Sequence, residues 1–348
     1  VGAALHGRGD NSGVTVHSPV VLASIVNYRT ADLAVECLRS LKLELAAHPG
    51  SRAIVVDNDS GDGSADRIAQ AIAREGWSAW AEVLASPLNG GFAAGNNMAW
   101  RAALESGMRP GFLWLVNPDA LVRPGTLQRL LDFAATQPKA GILGGAIEHA
   151  DGTPWSRAFR FPSLASELDD GLRLGLVSHW LSHKALMHPM GEQPQSVDWI
   201  CGANFMIRAE LIRDIGPMDE RYFLYWEETD YCHRAAKAGW SCWYVPDAPV
   251  MHLVGQSTGV TNSGGQRPRR RPDYWFESRR HYFVSQHGRG YAAAVDLAWL
   301  LTYPIWRLRR ALQRKPSQEP PWLWWDLLRH SVLLNPWRPA PTPRTATA

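Results

Sequence analysis

The sequence predicts an α/β protein built on a mostly parallel central sheet flanked by helices, with a helical extension at its C-terminal end. Three observations carry this expectation. Short apolar runs rich in β-branched residues alternate with helical periodicity from Pro19 to Phe133. The turns after those runs are loaded with Asn, Asp and Gly. Charge also divides the chain: residues 1–260 carry 21 Lys/Arg against 28 Asp/Glu, whereas residues 261–348 carry 15 against 5. The expected organisation is a flexible, Gly-rich leader over 1–18, an α/β domain over 19–260 and a basic, Trp-rich helical extension over 261–348. At 348 residues the chain has ample length to bury a core.

Pro19-Val20-Val21-Leu22-Ala23-Ser24-Ile25-Val26 reads as a strand buried on both faces. Asn27-Tyr28-Arg29-Thr30 follows as a loop, and Thr30 caps a helix through Leu33, Val35, Leu38 and Leu41. Ala53–Val56 is a second strand, its turn runs from Asp57 to Ser64, and Ala65–Arg74 is helical. Repeated strand–loop–helix units imply right-handed crossovers, which collect loops at the carboxyl edge of a parallel sheet, where ligands bind. Asp57 at a strand end suits a base or ribose; the alternative is an ordinary Asx turn. Asp59 and Asp62 read as turn and cap residues.

Asn89-Gly90-Gly91-Phe92-Ala93-Ala94-Gly95-Asn96-Asn97 opens a helix through Trp100, Ala103 and Leu104, and its glycines permit close backbone approach to a ligand. It lacks the Lys-Ser/Thr of a Walker loop. Phe112–Val116 is the next buried strand and ends in Asn117-Pro118-Asp119, where Asp119 on a stiffened turn suits a divalent ion held against a diphosphate. Pro124–Phe133 reads as a helix with Pro in its first turn. The segment 150–195 carries helical Leu spacing over Ser163–Trp180, and His179, His183 and His188 lack a carboxylate in register for a metal site.

Val197–Ile207 returns to strand character around Gly202-Ala203, small residues that let the chain pass beside a ligand. Trp226-Glu227-Glu228-Thr229-Asp230 then places three carboxylates directly after Tyr222-Phe223-Leu224-Tyr225. Acids beside aromatic rings are partly desolvated, which tunes a carboxylate toward proton transfer near neutral pH. The plainer reading is an acidic helix start that complements the macrodipole of a helix ending at Gly239. Cys242–Val245 and Val250-Met251-His252 complete the core, and a neutral His252 imidazole beside Asp119 would finish a metal shell.

In this order Ile25-Val26-Asn27-Tyr28, Val55-Val56-Asp57-Asn58, Asn89-Gly90-Gly91-Phe92, Asn117-Pro118-Asp119, Gly202-Ala203-Asn204-Phe205 and Met218-Asp219-Glu220 with the acidic run resemble the inverting family-2 glycosyltransferases of the GT-A fold, in particular their bacterial rhamnosyltransferase-like branch. The resemblance covers about Pro19 to Ser257. It implies that Asp57 contacts the pyrimidine of a nucleotide sugar, with Val26, Tyr28 and Asn89 in the same pocket. Asp119 would be the metal-binding acid, His252 would join it on Mg²⁺ or Mn²⁺, and Glu228 matches the catalytic base. Asn117, Gly202, Asn204, Trp226, Glu227 and Asp230 are further substrate-contact candidates. Two departures matter: Glu228 stands where the family often has Asp, and Asn117 replaces the first acid of a full DxD.

The implied activity is transfer of a sugar, L-rhamnose from dTDP-rhamnose or another dTDP- or UDP-sugar, to a hydroxyl of a cell-envelope or polyprenyl-linked glycan. The alternatives are a nucleotidyltransferase, for which Val20–Thr30 offers only Arg29 as a triphosphate cation, and a non-catalytic nucleotide-sugar or glycan-binding protein. Cysteines 37, 201, 232 and 242 form neither a CxxC pair nor a metal spacing and fit a reducing cytoplasm. The tail mixes Trp and Arg, as in a helix lying in lipid headgroups, so a peripheral place on the inner membrane face is expected rather than nucleic-acid binding. Packing of those Trp residues on the catalytic domain or in a homo-oligomer is the alternative.

Overall fold

The first apolar run forms β1 (Val21–Asn27) in a computed structural model that describes residues 19–155, 158–188, 191–253, 268–315 and 319–336; the expected leader lies outside them. After it come α1 (Ala31–Ala46), β2 (Arg52–Asp57), α2 (Ser64–Arg74), β3 (Ala81–Ala85), α3 (Gly91–Glu105), β4 (Phe112–Val116), β5 (Ala120–Val122), α4 (Thr126–Thr136) and β6 (Ala140–Glu148). The middle contributes β7 (Ala158–Phe159), α5 (Leu164–Leu172), α6 (Gly175–Trp180), β8 (Gln195–Val197), β9 (Trp199–Ile200), β10 (Asn204–Arg208) and α7 (Ala209–Ile215). Then follow α8 (Glu227–Lys237), β11 (Ser241–His252), α9 (Asp273–His287), α10 (Arg289–Leu312) and α11 (Leu323–His330).

The main sheet has the order β3-β2-β1-β4-β10-β6-β11-β5, with β8 also paired to β11. β3, β2, β1 and β4 are parallel, β10 runs antiparallel to β4 and β6, and β11 is parallel to β6. Helices cover both faces. Ile25, Val55 and Trp114 pack toward Leu38, Leu41, Ile68 and Leu130, whereas Leu22, Ile54 and Leu115 pack toward Trp100, Leu211 and Tyr231. This double burial explains why the first strands are continuously apolar rather than alternating.

Several elements differ from the sequence expectation. The run Val197–Ile207 is broken into β8, β9 and β10, because Asp198 accepts the Phe161 amide (2.7 Å) and Gly202 leaves the ladder. Helix α4 starts after Pro124, with Gly125 at φ 80° preceding it. The two expected strands near 245 and 250 are one, β11, whose register shifts between Val245 and Val250. The central strand β6 has no counterpart in the periodicity, since Gly141, Gly144 and Gly145 dilute its apolar signal. A Cβ at Gly144 or Gly145 would collide with the Asn204 and Ala248 carbonyls, so crowding at the sheet centre demands glycine there.

The extension has its own small core of Phe276, Trp299, Tyr303, Trp306, Leu323 and Leu327, yet α9 also packs Tyr282 and Phe283 against Tyr222. Buried Arg279 bridges Glu167 on α5 (2.6 Å) and Asp296 on α10 (2.5 Å). The tail is thereby fastened to the sheet domain by shared hydrophobic and ionic contacts. Its tryptophans divide: Trp299 and Trp306 are buried, whereas Trp322 and Trp325 are exposed.

Candidate active site

The parallel strands β1, β2 and β4 end at Asn27, Asp57 and Val116, so their loops emerge from one edge. Antiparallel β10 begins at that edge, with Asn204 paired to Val116. Two residues earlier, the Gly202 N–H donates to Glu228 Oε1 (3.0 Å). This register brings Glu228 to the end of the β4/β10 pair from which Asn117 and Asp119 also emerge.

On the β1–β2 side the polar groups satisfy one another. Asn27 Nδ2 and Ser60 Oγ donate to Asp57 Oδ1 (2.7 and 2.6 Å), and the Ser60 N–H donates to Oδ2 (3.3 Å). Asn58 Nδ2 donates to Asn89 Oδ1 (3.0 Å) and to the Gly91 carbonyl (3.1 Å). Asp57 is buried, and half-buried Tyr28 stacks under the Arg29 guanidinium at 5.1 Å. Half-buried Val26 lies against Gly95 of α3, where a Cβ would press on both of its methyls.

At the next strand end, His252 Nε2 lies 3.0 Å from Asp119 Oδ1 and 3.3 Å from Asn117 Nδ2. Pairing of β11 with β5, His252 opposite Ala120, sets these groups side by side. His252 Nδ1 is buried with no hydrogen-bond partner among the described residues, and Trp155 stacks along the ring at 6.5 Å. Among the described residues, no group of three or more His, Cys, Asp or Glu side chains is arranged to hold a metal.

The acidic loop is built differently. Tyr225 and Trp226 have φ of 68° and 73°, a left-handed conformation that costs non-glycine residues about 1–3 kcal/mol each. Helix α9 holds them in place. The Trp226 ring packs on Trp275, Tyr282 and Phe283 at 5.2–6.1 Å, and Tyr225 stacks on Tyr274 at 6.3 Å. Helix α8 then starts at Glu227, so its first turn does carry three acids complementing the dipole.

Burial pushes the Glu228 carboxyl up from the usual carboxylate range, against the pull of backbone N–H donors including Gly202. Glu227 is pushed up further by deeper burial and by the neighbouring Glu228 charge, and its Oε2 is buried without a partner among the described residues. Burial and mutual repulsion thus both oppose ionising the two carboxyls together. Asp230 is committed elsewhere: its oxygens accept from Gln286 Nε2 (2.6 Å), Tyr222 Oη (3.2 Å) and Arg234 Nε (2.9 Å). Asn204 likewise accepts from the Trp114 indole (2.9 Å) and donates to the Ala248 carbonyl (3.0 Å).

The structure thus joins Glu228 with Gly202, and Asp119 with Asn117 and His252, while Asn204, Asp230 and Trp226 have their groups occupied by the protein itself. Sequence reasoning missed two supports. Gly91, at φ 87°, is where a Cβ would strike the Phe223 carbonyl, and the Phe92 N–H donates to that carbonyl (2.9 Å). Its close approach is to the acidic loop. Asn97 pins the same loop by a two-way bond with the Met218 backbone (2.8 and 3.1 Å). The available signal was the run Tyr222–Trp226, whose rings need a partner surface, and the aromatic α9 supplies it.

Residues 18–271 match the model of a family described as glycosyltransferase like family 2. The chain is 29% identical over 251 residues, covering 69% of it and 78% of the relative, to an N-acetylglucosaminyl-diphospho-decaprenol L-rhamnosyltransferase of Mycobacterium tuberculosis. In structure it is similar to a mannosyltransferase from Pyrobaculum calidifontis in complex with GDP-Man and Mn²⁺, with TM-score 0.52 and 15% identity over 93% of this chain and 83% of that one. GalNAc-T7 with UDP, GalNAc and Mn²⁺ is similar at TM-score 0.54 and 11% identity, over 91% of this chain and 58% of that one. These likenesses and the sheet order agree on the GT-A fold.

Proposed function

The chain belongs to glycosyltransferase like family 2 and is a glycosyltransferase, and from that premise we propose an inverting, metal-assisted transfer of L-rhamnose from dTDP-rhamnose to a polyprenyl-linked glycan. The observation that carries the reading is the meeting, at one end of the β4/β10 pair, of a desolvated carboxylate and an Asp–His pair. Glu228, held by the Gly202 N–H, takes the proton of the acceptor hydroxyl as that oxygen attacks C1 of the sugar from the face opposite the leaving diphosphate. Its upward pKa makes its carboxylate a stronger base than an exposed one.

The donor set fits a hard divalent ion. Oδ1 of Asp119 and Nε2 of His252, 3.0 Å apart, are the carboxylate and imidazole donors that would hold such an ion. One or two carboxylates together with substrate phosphates commonly suffice for Mg²⁺. A bound ion there would neutralise charge building on the departing diphosphate. Asp57, Tyr28, Val26 and Asn89 line the side on which the base and ribose would sit. The mycobacterial relative's name supports the sugar and the lipid-linked acceptor, and hence work at the inner face of the cytoplasmic membrane. The domain limits that accompany this reading are 19–260 for the transferase and 261–348 for the extension.

The test is a thermal-shift series of nucleotide sugars with and without Mn²⁺, since a ligand that binds only the native state raises its melting temperature. A dTDP-sugar that stabilises only with metal, and not in Asp119→Ala, is the expected result. Equal stabilisation without metal would remove the Asp119–His252 role, and transfer by Glu228→Gln at the wild-type rate would remove the base.

A further inference from the structure

Helix α10 buries one face in the extension's core, through Trp299, Tyr303 and Trp306. Its opposite face presents Leu297, Leu301, Ile305, Leu308 and Leu312, each between 47% and 77% exposed. Their spacing of four, four, three and four residues draws one stripe about 22 Å long. Helix α11 is fastened alongside by the Trp324 indole, which donates to the Leu300 carbonyl (2.9 Å), and adds exposed Trp322 and Trp325. At the other end, Arg309 donates to the Arg173 carbonyl (2.6 Å), which ties the end of α5 to α10. An exposed apolar stripe of this length marks an interaction site.

Charge decides what covers it. Exposed Arg307, Arg314 and Lys315 flank the stripe. The only acids of α10 and α11, Asp296 and Asp326, are buried and paired with Arg279 and Arg270 (both 2.5 Å). The outer faces of α10 and α11 therefore offer cations and apolar side chains with no carboxylate of their own. A second copy would oppose like charges, whereas anionic headgroups would meet the arginines as the leucines and tryptophans enter the acyl boundary. Among the described residues no helix is long and apolar enough to cross a membrane.

We propose that the outer face of α10, with Trp322 and Trp325 of α11, docks on the surface of an anionic bilayer. This deepens the reading of a lipid-linked acceptor and rests on it. The docked helices lie one contact from the site, because α9, which shares their core, also braces Trp226 ahead of Glu228.

The experiment is detergent-free sedimentation of the full chain with vesicles of phosphatidylglycerol and phosphatidylcholine, beside vesicles of phosphatidylcholine alone. Binding to the anionic vesicles that weakens with salt is expected. The triple variant Leu301→Asp, Ile305→Asp, Leu308→Asp should bind about 100-fold less tightly, while Leu43→Asp on α1, also at an exposed leucine, should bind as the wild type does. Matching circular-dichroism melts keep unfolding out of the comparison. Wild type that ignores both vesicles, or a dimer that the triple variant dissociates without vesicle binding, overturns the proposal. Stabilisation by nucleotide sugar is read on the same variant and should be unchanged; its absence from the wild type would sink the proposed donor and leave vesicle binding to be judged alone.

Discussion

The two halves of the candidate site are built on opposite plans. Around Asp57 the polar groups lie at the ends of adjacent parallel strands and close their hydrogen bonds among themselves, through Asn27, Ser60, Asn58 and Asn89. Around Glu228 the carboxylates are desolvated, one oxygen is unpartnered, and the preceding turn is in a left-handed conformation held from outside by α9. A satisfied network is rigid and tolerant of its ligand's absence. A poised one keeps its proton affinity by denying a carboxylate the solvent and partners it would otherwise take, and it needs distant residues to hold that state.

Glu228→Gln breaks the comparison most sharply. Loss of about 10³-fold in kcat is expected for a missing general base, with nucleotide-sugar stabilisation intact. The wild-type pH–rate profile should also lose activity on acidification at a pH above the ordinary glutamate value of about 4.3, because burial raises the Glu228 pKa. A limb at or below that value would mean that the base is not desolvated.

Removing the brace comes next. Phe283→Ala deletes a buried ring against Trp226 and should cost about 3–5 kcal/mol of stability, read by denaturant melts. Below its melting temperature the variant should lose kcat while keeping its nucleotide-sugar affinity. Loss of both in parallel would show that the two halves are one unit.

For the satisfied half, Asp57→Ala leaves Asn27 Nδ2 and Ser60 without their acceptor. A stability loss of about 1–3 kcal/mol should accompany weaker nucleotide binding, with metal-dependent kcat at saturating donor largely retained. An unchanged donor affinity would move the base pocket elsewhere.

Glu227→Gln should have the smallest effect and the opposite sign. A carboxyl whose folded pKa is raised binds protons more readily in the native state, so its contribution erodes stability as pH rises from the unfolded value through the folded one. The amide removes that penalty, and a gain of roughly 1 kcal/mol near neutral pH is expected, seen as a flatter dependence of Tm on pH between 5 and 8. A lower Tm at pH 7 would show that the Glu227 charge is needed in the fold.

Legibility in the sequence follows the range of the interactions. Asp57 and Asn117-Pro118-Asp119 were readable because each stands directly after a continuous apolar strand, and parallel strands force such residues to one edge. The acidic run was readable because three carboxylates after four aromatic or apolar residues do not suit a solvated helix start. The work of Gly91 is only partly legible: its residue type shows that it permits close approach, but not that one approaching group is the Phe223 carbonyl. Strand β6 escaped because its glycines answer to Asn204 and Ala248, which are distant in sequence.

By itself, then, the sequence determined the alternation of buried strands and helices, the carboxyl-edge loops and the split of charge between domain and tail, since these depend on neighbours within a turn or a strand. Only the tertiary structure decided that Glu228 meets Gly202, that His252 closes on Asp119, that Asp230 and Asn204 hydrogen-bond within the protein, and that α9 holds a left-handed turn. The first two of those outcomes rest on pairings between residues 26 and 133 positions apart, where strand register and burial, rather than spacing, select the partner.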